Sequence, residues 1–276
     1  MIVTAIRTPR IEVNQPLLPI LLAALERPLQ ERDVLCVTSK VVALEQGRCV
    51  KLSDVALTDA ARTLPQLAYS KDFKTYPGLA QLIIDESEKL FQAKYVYMTL
   101  REGIFIANAG IDLSNVPEGY AILWPAHPWR WAREFRDELC SRLGIKELGI
   151  VLTDSHIVPF RKGVLGIALA WSGIEGIESQ VGKPDLYGKP LQYTEKAVAD
   201  DLATAAIFMA GESSEATPFV RFEGAPVTFT EREFKGTEFF IAPKNDLYAG
   251  IYAPEFERLE RPAAAARTEN PKSKES

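Results

Sequence analysis

The spacing of apolar residues changes repeatedly along this chain, and this change constrains the fold more than any other feature of the sequence. Short apolar runs and strict alternation predict strands, whereas apolar residues spaced by about 3.6 predict helices. Both patterns occur by turns, so we predict a mixed α/β (α+β) protein. The 276 residues, 47% of them hydrophobic, are enough for one large domain or two smaller lobes.

The predicted elements follow one another with short connections. Strands are predicted at 1–6, 33–37, 120–124, 148–153 and 164–171, and a strand pair joined at 101–103 lies within 94–110. Helices are predicted at 16–26, 79–92 and 129–142, with Gly144 as a C-cap, and a long helix begins at a Thr194 cap. We assign residues 1–256 to the folded region and 257–276, polar and of low complexity, to a disordered tail.

Composition excludes several classes of protein. The net charge of -5 argues against a nucleic-acid partner, because phosphate backbones are held by clustered Lys and Arg. The first 13 residues lack the apolar core of a signal peptide, and residues 17–25 are too short to span a membrane. We therefore expect a soluble, cytoplasmic protein with no membrane partner.

Familiar catalytic motifs are absent from the sequence. There is no GxxxxGK[ST] phosphate loop, no GxGxxG after a strand and no GxSxG nucleophile turn. The three cysteines and two histidines are too scattered for a tetrahedral zinc set. Oxygen ligands remain, and these suit hard cations such as Mg or Mn.

Three predicted strands end in turns rich in small and polar residues. These turns are VTSK at 37–40, NAGIDLSN at 108–115 and VLTDS at 151–155. Open α/β sheets usually keep their ligand sites at such strand ends. Asp112 and Asp154 are candidate metal ligands there, although Asp residues after strands are commonly turn or N-cap residues.

Five segments, in the same order, resemble the coenzyme F-420:L-glutamate ligase family. They are VTSKVVALEQGR (37–48), ANAGIDLSNV (107–116), TDS-x3-P-F-R-x-G (153–163), GKPDLYGKPLQYTEKAVADDLATAA (182–206) and MAGESSEATP (209–218). The resemblance implies two unequal lobes with mixed sheets, an intertwined homodimer and a cleft that holds the active site. It also implies a ligase that joins L-glutamate to an acceptor carboxylate through an acyl phosphate.

The resemblance implies roles for individual residues. Asp112 and Asp154 would bind one Mg or Mn ion, and Ser155 and Glu212 would bind a second. The residues implied to contact ATP or GTP are Ser39, Lys40, Asn115, Gly211, Glu212, Ser213 and Pro218. Lys40 and Arg161 would supply catalytic positive charge, and the acceptor would lie beside Trp129, His156 and Arg161.

The sequence also departs from the family pattern. Leu44 replaces a lysine, and Glu45-Gln46 replaces a small residue and a glutamate. AHPWRWA (126–132) replaces an acidic segment, and SHIVPFR (155–161) replaces TFGRPWR. We interpret the last two changes as a rewritten acceptor side, which is typical of a branch suspected of acting on folate.

Four hypotheses follow for the function. The first is a γ-glutamyl ligase that acts on folate, as a folylpolyglutamate synthase does, and the second is the same reaction on the deazaflavin precursor, coenzyme F-420-0. The third, from another class, is a nucleotide- and metal-binding module without catalysis. The fourth is a metal-dependent phosphohydrolase, which would release phosphate without an acceptor.

Overall fold

A five-stranded sheet forms the centre of the larger lobe. The computed structural model describes residues 1–64, 71–91, 95–241, 245–248 and 250, so the predicted tail at 257–276 lies outside the described residues. The sheet has the order β1-β12-β2-β8-β9. Its strands are β1 (Ile2–Ile6), β2 (Asp33–Thr38), β8 (Leu148–His156), β9 (Leu165–Ser172) and β12 (Phe219–Glu223).

The pairing of β2 with β8 places two of the polar turns side by side. These strands are parallel, with Asp33 opposite Leu148 and Thr38 opposite Thr153, while the other pairs of the sheet are antiparallel. Because carboxyl ends of parallel strands meet at one edge, the residues after Thr38 and Thr153 emerge together.

Helices cover both faces of this sheet. Alternate residues of β2 point to opposite sides, as strand geometry requires. Leu35 and Val37 pack with α1 (Leu17–Ala24) and α6 (Pro128–Leu143), whereas Val34 and Cys36 pack with α7 (Val198–Ala210). Each fully buried Leu or Val contributes about 1.5–3 kcal/mol.

Small residues bring α7 close to the sheet. A side-chain carbon at Gly166 of β9 would lie 2.2 Å from the backbone oxygen of Ala203, so only glycine permits this approach. The alanines of the α7 face, Ala199, Ala203 and Ala206, are buried. The alanine-rich sequence of this helix is therefore explained by packing.

The smaller lobe has its own core and is built from short elements. They are β3 (Cys49–Lys51), α3 (Asp59–Thr63), α4 (Lys71–Thr75), α5 (Pro77–Glu86), β4 (Lys89–Phe91), β5 (Met98–Arg101), β6 (Ile104–Ala107) and β7 (Tyr120–Ile122). β4, β5 and β6 form an antiparallel sheet, and β3 pairs with β7. Phe73, Leu79 and Ile83 centre a separate hydrophobic cluster. The predicted mixed fold with two unequal lobes is confirmed.

Two predicted boundaries are wrong. The helix predicted at 79–92 ends at Glu86, and Lys89–Phe91 instead forms β4, because those residues gain a ladder with β5. The helix predicted to begin at a Thr194 cap begins at Val198, since Glu195 and Lys196 pair with Ser179 and Glu178. In both places pairing with another strand replaces a helical turn.

A long hairpin projects from the larger lobe. Its short strands are β10 (Glu178–Ser179) and β11 (Glu195–Lys196), and Leu186, Tyr187 and Tyr193 beyond them are exposed. The predicted homodimer stays a prediction, because a single chain is described. Among the described residues, no helix is long and apolar enough to cross a membrane.

Candidate functional site: a cleft at the ends of β2 and β8

A cleft of about 740 Å³ opens at the edge where β2 and β8 end. Its walls come from residues within 8–11, 38–44, 106–117, 153–157 and 207–218. α2 (Ser39–Glu45) follows directly from β2 and forms one wall. All three polar turns singled out in the sequence contribute residues to this one cavity.

The wall formed by NAGIDLSN begins with an unusual backbone turn. Asn108, Ala109 and Gly110 all have positive φ angles, of 51°, 55° and 70°. A non-glycine residue in this left-handed region costs about 1–2 kcal/mol. Such strain persists only where surrounding structure over-determines it, and it concentrates at functional sites.

Asp112 follows this turn, and its side chain forms an ion pair with Lys40 of α2. Lys40 Nζ lies 2.6 Å from Asp112 Oδ2 and donates to Ser114 Oγ at 2.7 Å. The Ser114 amide donates to Asp112 Oδ1 at 2.7 Å. Desolvation acts to raise the pKa of Asp112, but the Lys40 charge and these hydrogen bonds hold it below its ordinary value. Asp112 is therefore a carboxylate at neutral pH.

Asp154, on β8, has a raised pKa, unlike Asp112. Desolvation raises its pKa to about 7, the nearby Asp112 carboxylate also raises it, and hydrogen bonds from the Ser155 amide and the Ser39 hydroxyl oppose the rise. Ser39 is buried at the start of α2. Two neighbouring carboxyl groups with pKa values moved apart are typical of a functional site.

The loop after α7 forms the opposite wall and is joined to the polar turns. Ser155 Oγ donates to the Glu212 carboxylate, at 2.9 and 3.0 Å from its two oxygens. Asn115 Nδ2 donates to the Ser213 carbonyl at 3.0 Å. Gly211 and Pro218 also line the cleft. The structure thus brings together all the residues predicted to bind nucleotide or metal.

Of the three residues predicted on the acceptor side, only His156 lines the cleft. His156 lines the cleft, and in the described part of the chain its buried Nδ1 has no hydrogen-bond partner. Burial lowers the pKa of His156, which favours the neutral ring. Arg161 lies outside the lining, on an exposed turn beyond the end of β8, and its role stays a prediction.

The placement of Trp129 beside the acceptor is not supported by the structure. Its ring packs edge-on against Trp171, with centroids 4.6 Å apart, and lines a separate cavity of about 350 Å³ with Arg133 and Phe234. The physical reason is the orientation of α6, whose first turn faces β9 and the segment at 230–235 rather than the cleft. We withdraw Trp129 from the candidate site.

Two of the segments that depart from the family pattern, Glu45-Gln46 and 126–132, contact each other. Glu45 accepts hydrogen bonds from the Leu17 amide at 2.7 Å and the Trp131 indole at 2.9 Å. The Gln46 amide group pairs with the backbone of Ala126 in both directions, at 2.7 and 2.9 Å. These substitutions are accounted for by packing between α1, α2 and α6.

Sequence reasoning missed the first cleft segment. Thr8, Pro9, Arg10 and Ile11 line the cavity, and the Thr8 amide donates to the Ala216 carbonyl at 2.9 Å. Arg10 is 3.1 Å from Glu12, and both side chains are exposed. No motif marks this segment, although a proline after a predicted strand, as in Thr8-Pro9-Arg10, is a common signal that a loop begins.

The donor set fits a divalent cation shared with a phosphate ligand. Within residues 1–64, 71–91, 95–241, 245–248 and 250, no three His, Cys, Asp or Glu side chains form a metal-binding group. Mg²⁺ is commonly bound through one or two carboxylates plus substrate phosphates, however. Asp112 and Asp154 supply two carboxyl groups; burial is the main cause of the raised pKa of Asp154, with a smaller contribution from the Asp112 charge, and a bound cation would favour the ionised form of both.

Comparison with known proteins gives a consistent result. The profile of the family described as F420-0:Gamma-glutamyl ligase matches residues 5–224. A coenzyme F420:L-glutamate ligase from Methanopyrus kandleri is 36% identical over 198 residues, which cover 71% of this chain and 76% of that protein.

Two further relatives carry the same name. The protein from Methanocaldococcus jannaschii is 32% identical over 221 residues, 79% of this chain and 85% of the relative. That from Haloarcula marismortui is 36% identical over 192 residues, 69% and 74% of the two chains. These names do not support the folate hypothesis and agree better with the alternative, the F-420 reaction. The chain therefore belongs to the F420-0:gamma-glutamyl ligase family.

Proposed function

We propose that this protein is a nucleoside-triphosphate-dependent ligase that joins L-glutamate to the carboxylate of a glutamate-free deazaflavin acceptor. The observation that carries the proposal is the single cleft in which Lys40, Asp112, Asp154, Ser155 and Glu212 converge. Family membership supports the ligase chemistry, and the names of the relatives support the acceptor.

The reaction requires two transfers at one place. An oxygen of the acceptor carboxylate attacks the terminal phosphorus of ATP or GTP, and the nucleoside diphosphate leaves. The amine of L-glutamate then attacks the acyl carbon, phosphate leaves, and the amine loses a proton to solvent. Both transfers need the reactants held in line and their negative charge offset.

The residues of the cleft suit these needs. Lys40 supplies a fixed positive charge beside Asp112, and Asn115 with the loop at 211–218 closes over the nucleotide in this proposal. Asp112 and Asp154 would hold Mg or Mn, with Ser155 and Glu212 beside a second ion. A bound divalent cation would supply charge neutralisation at the phosphate oxygens.

The folate hypothesis loses one part of its structural argument. The first rewritten segment, 126–132, packs against Glu45 and Gln46, and Trp129 lies in another cavity. The second rewritten segment, 155–161, does contribute Ser155, His156 and Ile157 to the cleft. The names of the relatives, rather than the packing, favour the deazaflavin acceptor.

The test is incorporation of glutamate by the purified full chain. Assays contain ATP or GTP, Mg or Mn, and either the glutamate-free deazaflavin or reduced folate, with products identified by mass. We expect a glutamyl adduct on the deazaflavin alone. An adduct on folate alone would overturn the proposed acceptor, and nucleotide binding without any adduct would favour the non-catalytic hypothesis. Release of phosphate without an acceptor would favour a phosphohydrolase.

A further inference from the structure

The left-handed turn at Asn108, Ala109 and Gly110 is held from beneath by one buried hydroxyl group. Thr99 of β5 is fully buried, and its Oγ1 accepts a hydrogen bond from the Ala109 amide at 2.8 Å. The same hydroxyl donates to the Ile106 carbonyl at 2.7 Å. One side chain thus joins the last strand before the turn to the middle of the turn.

Loss of this hydroxyl would leave a buried amide unpaired. Ala109 is fully buried, so its amide would lose its partner and gain no water if Thr99 lost the hydroxyl. Ala109 also has φ 55°, a conformation that alanine adopts only under external constraint. The bond to Thr99 provides that constraint at the residue that needs it most.

The turn is fixed on its other side by an aromatic ring. A side-chain carbon at Gly110 would lie 2.2 Å from Cε3 of Trp124, which is itself buried. Trp124 is therefore in direct contact with the turn backbone. Two residues beyond Gly110, the Asp112 amide and carbonyl pair with Ile122 at 3.0 and 2.9 Å. The Asp112 backbone is consequently set by the turn before it and by β7 beside it.

We propose that Thr99 is a positioning residue for Asp112: its hydroxyl holds the left-handed turn that sets the Asp112 carboxylate against Lys40. Thr99 lines no part of the cleft and acts only through the turn. The inference rests on the proposed function for its effect on ligation, but the position of Asp112 is measurable without ligation.

The test uses Thr99→Val, which keeps the shape of the side chain and removes the hydroxyl. In crystals of the ligand-free variant we expect the turn at 108–110 to change conformation and the 2.6 Å contact between Lys40 Nζ and Asp112 Oδ2 to be lost. In solution we expect the dissociation constant for Mn²⁺, followed by electron paramagnetic resonance, to rise about tenfold. We expect the Mn²⁺ concentration for half-maximal ligation to rise by the same factor. The separate variant Thr99→Ser keeps the hydroxyl, and we expect both of its values to equal those of the wild type.

Thr58→Val is the control for loss of a bridging hydroxyl, at an exposed position rather than a buried one. The Thr58 hydroxyl also joins one donor and one acceptor, the Ala61 amide at 3.3 Å and Gln81 Oε1 at 2.8 Å, and it lies in the same lobe. We expect this variant to lose stability while its Mn²⁺ dependence stays that of the wild type. If Thr99→Val does not fold, Thr99→Ala serves, since it places no methyl group against the two polar backbone atoms.

Two sets of outcomes overturn the proposal. One is an unchanged turn and unchanged Mn²⁺ affinity in Thr99→Val, and the other is an equal rise of the Mn²⁺ constant in Thr58→Val. Absence of ligation by the wild type with either acceptor would count against the proposed function alone, because the crystal structures would still decide whether Thr99 positions Asp112.

Discussion

Two parts of the molecule treat their polar groups in opposite ways. In the cleft, Asp112 and Asp154 lie near each other, one with a lowered and one with a raised pKa, on backbone that includes a left-handed turn. Between α1, α2 and α6, Glu45 and Gln46 each satisfy two partners in ordinary backbone geometry. The cleft lowers the stability of the fold but leaves its polar groups able to bind ligands. The contacts between α1, α2 and α6 stabilise the fold, and their polar groups are already hydrogen-bonded within the protein.

Substitution of Asp154 is expected to lower catalytic efficiency more than any other change considered. We expect Asp154→Asn to reduce kcat/KM for ligation by about a thousandfold, since removal of one charge-bearing group from such a site costs about 4 kcal/mol. Steady-state kinetics at saturating Mn²⁺ measures it. Turnover within threefold of the wild type would remove Asp154 from the proposed metal site.

The next effect concerns stability between the helices. Glu45→Ala removes the acceptor of the Leu17 amide and of the Trp131 indole, and we expect the free energy of unfolding to fall by about 2 kcal/mol. Urea denaturation gives the value. We expect the acceptor preference to stay that of the wild type; a change of acceptor would restore the hypothesis that this segment shapes the acceptor site.

A smaller effect is expected at the cleft segment that sequence reasoning missed. Among the described side chains that line the cleft, the Lys and Arg residues are Lys40 and Arg10. Lys40 is paired with Asp112 inside the cleft, whereas Arg10 is paired with Glu12, which lies outside the lining, in an exposed ion pair of little strength. Arg10→Gln should therefore raise the KM of one of the three anionic substrates (the nucleotide, L-glutamate or the acceptor) about tenfold, with little change in kcat. A tenfold change corresponds to about 1.4 kcal/mol of binding free energy. Arg7→Gln is the control, because Arg7 is exposed and outside the lining. Equal KM values in the two variants would contradict this assignment.

The pH dependence of stability depends on the raised pKa of Asp154. A carboxyl group whose pKa is raised by folding stabilises the protein when protonated, below about pH 4, and that contribution is lost as the pH rises to about 7. An amide does not titrate in this range, so Asp154→Asn should gain about 1 kcal/mol of stability relative to the wild type between these limits, a value reduced by partial exposure. Unfolding free energies at pH 4 and pH 8 measure it. A difference independent of pH would show that Asp154 titrates normally.

The sequence predicts what depends on local pattern and misses what depends on distant partners. The sequence predicts β2, which ends just before Ser39, and β8, which carries Asp154, to within three residues of their ends, because each is a continuous apolar run followed by polar residues. The residues of β4 continue a helical pattern, so the sequence predicts helix there, and only pairing with β5 distinguishes the strand from the helix. The sequence of an amphipathic helix does not say which element its first turn packs against, so it does not predict that Trp129 lines the smaller cavity rather than the cleft.

The contact between Glu45 and Trp131 has an evolutionary consequence. Both side chains are half-buried, so an indole that loses its acceptor, or a carboxylate that loses its indole, is left with an unpaired polar group that has reduced access to water. Neither substitution is therefore easily tolerated alone, and lineages of this family should gain or lose the two residues as a pair. We expect the two positions to co-vary in an alignment of the family, and frequent changes at one position alone would contradict this expectation.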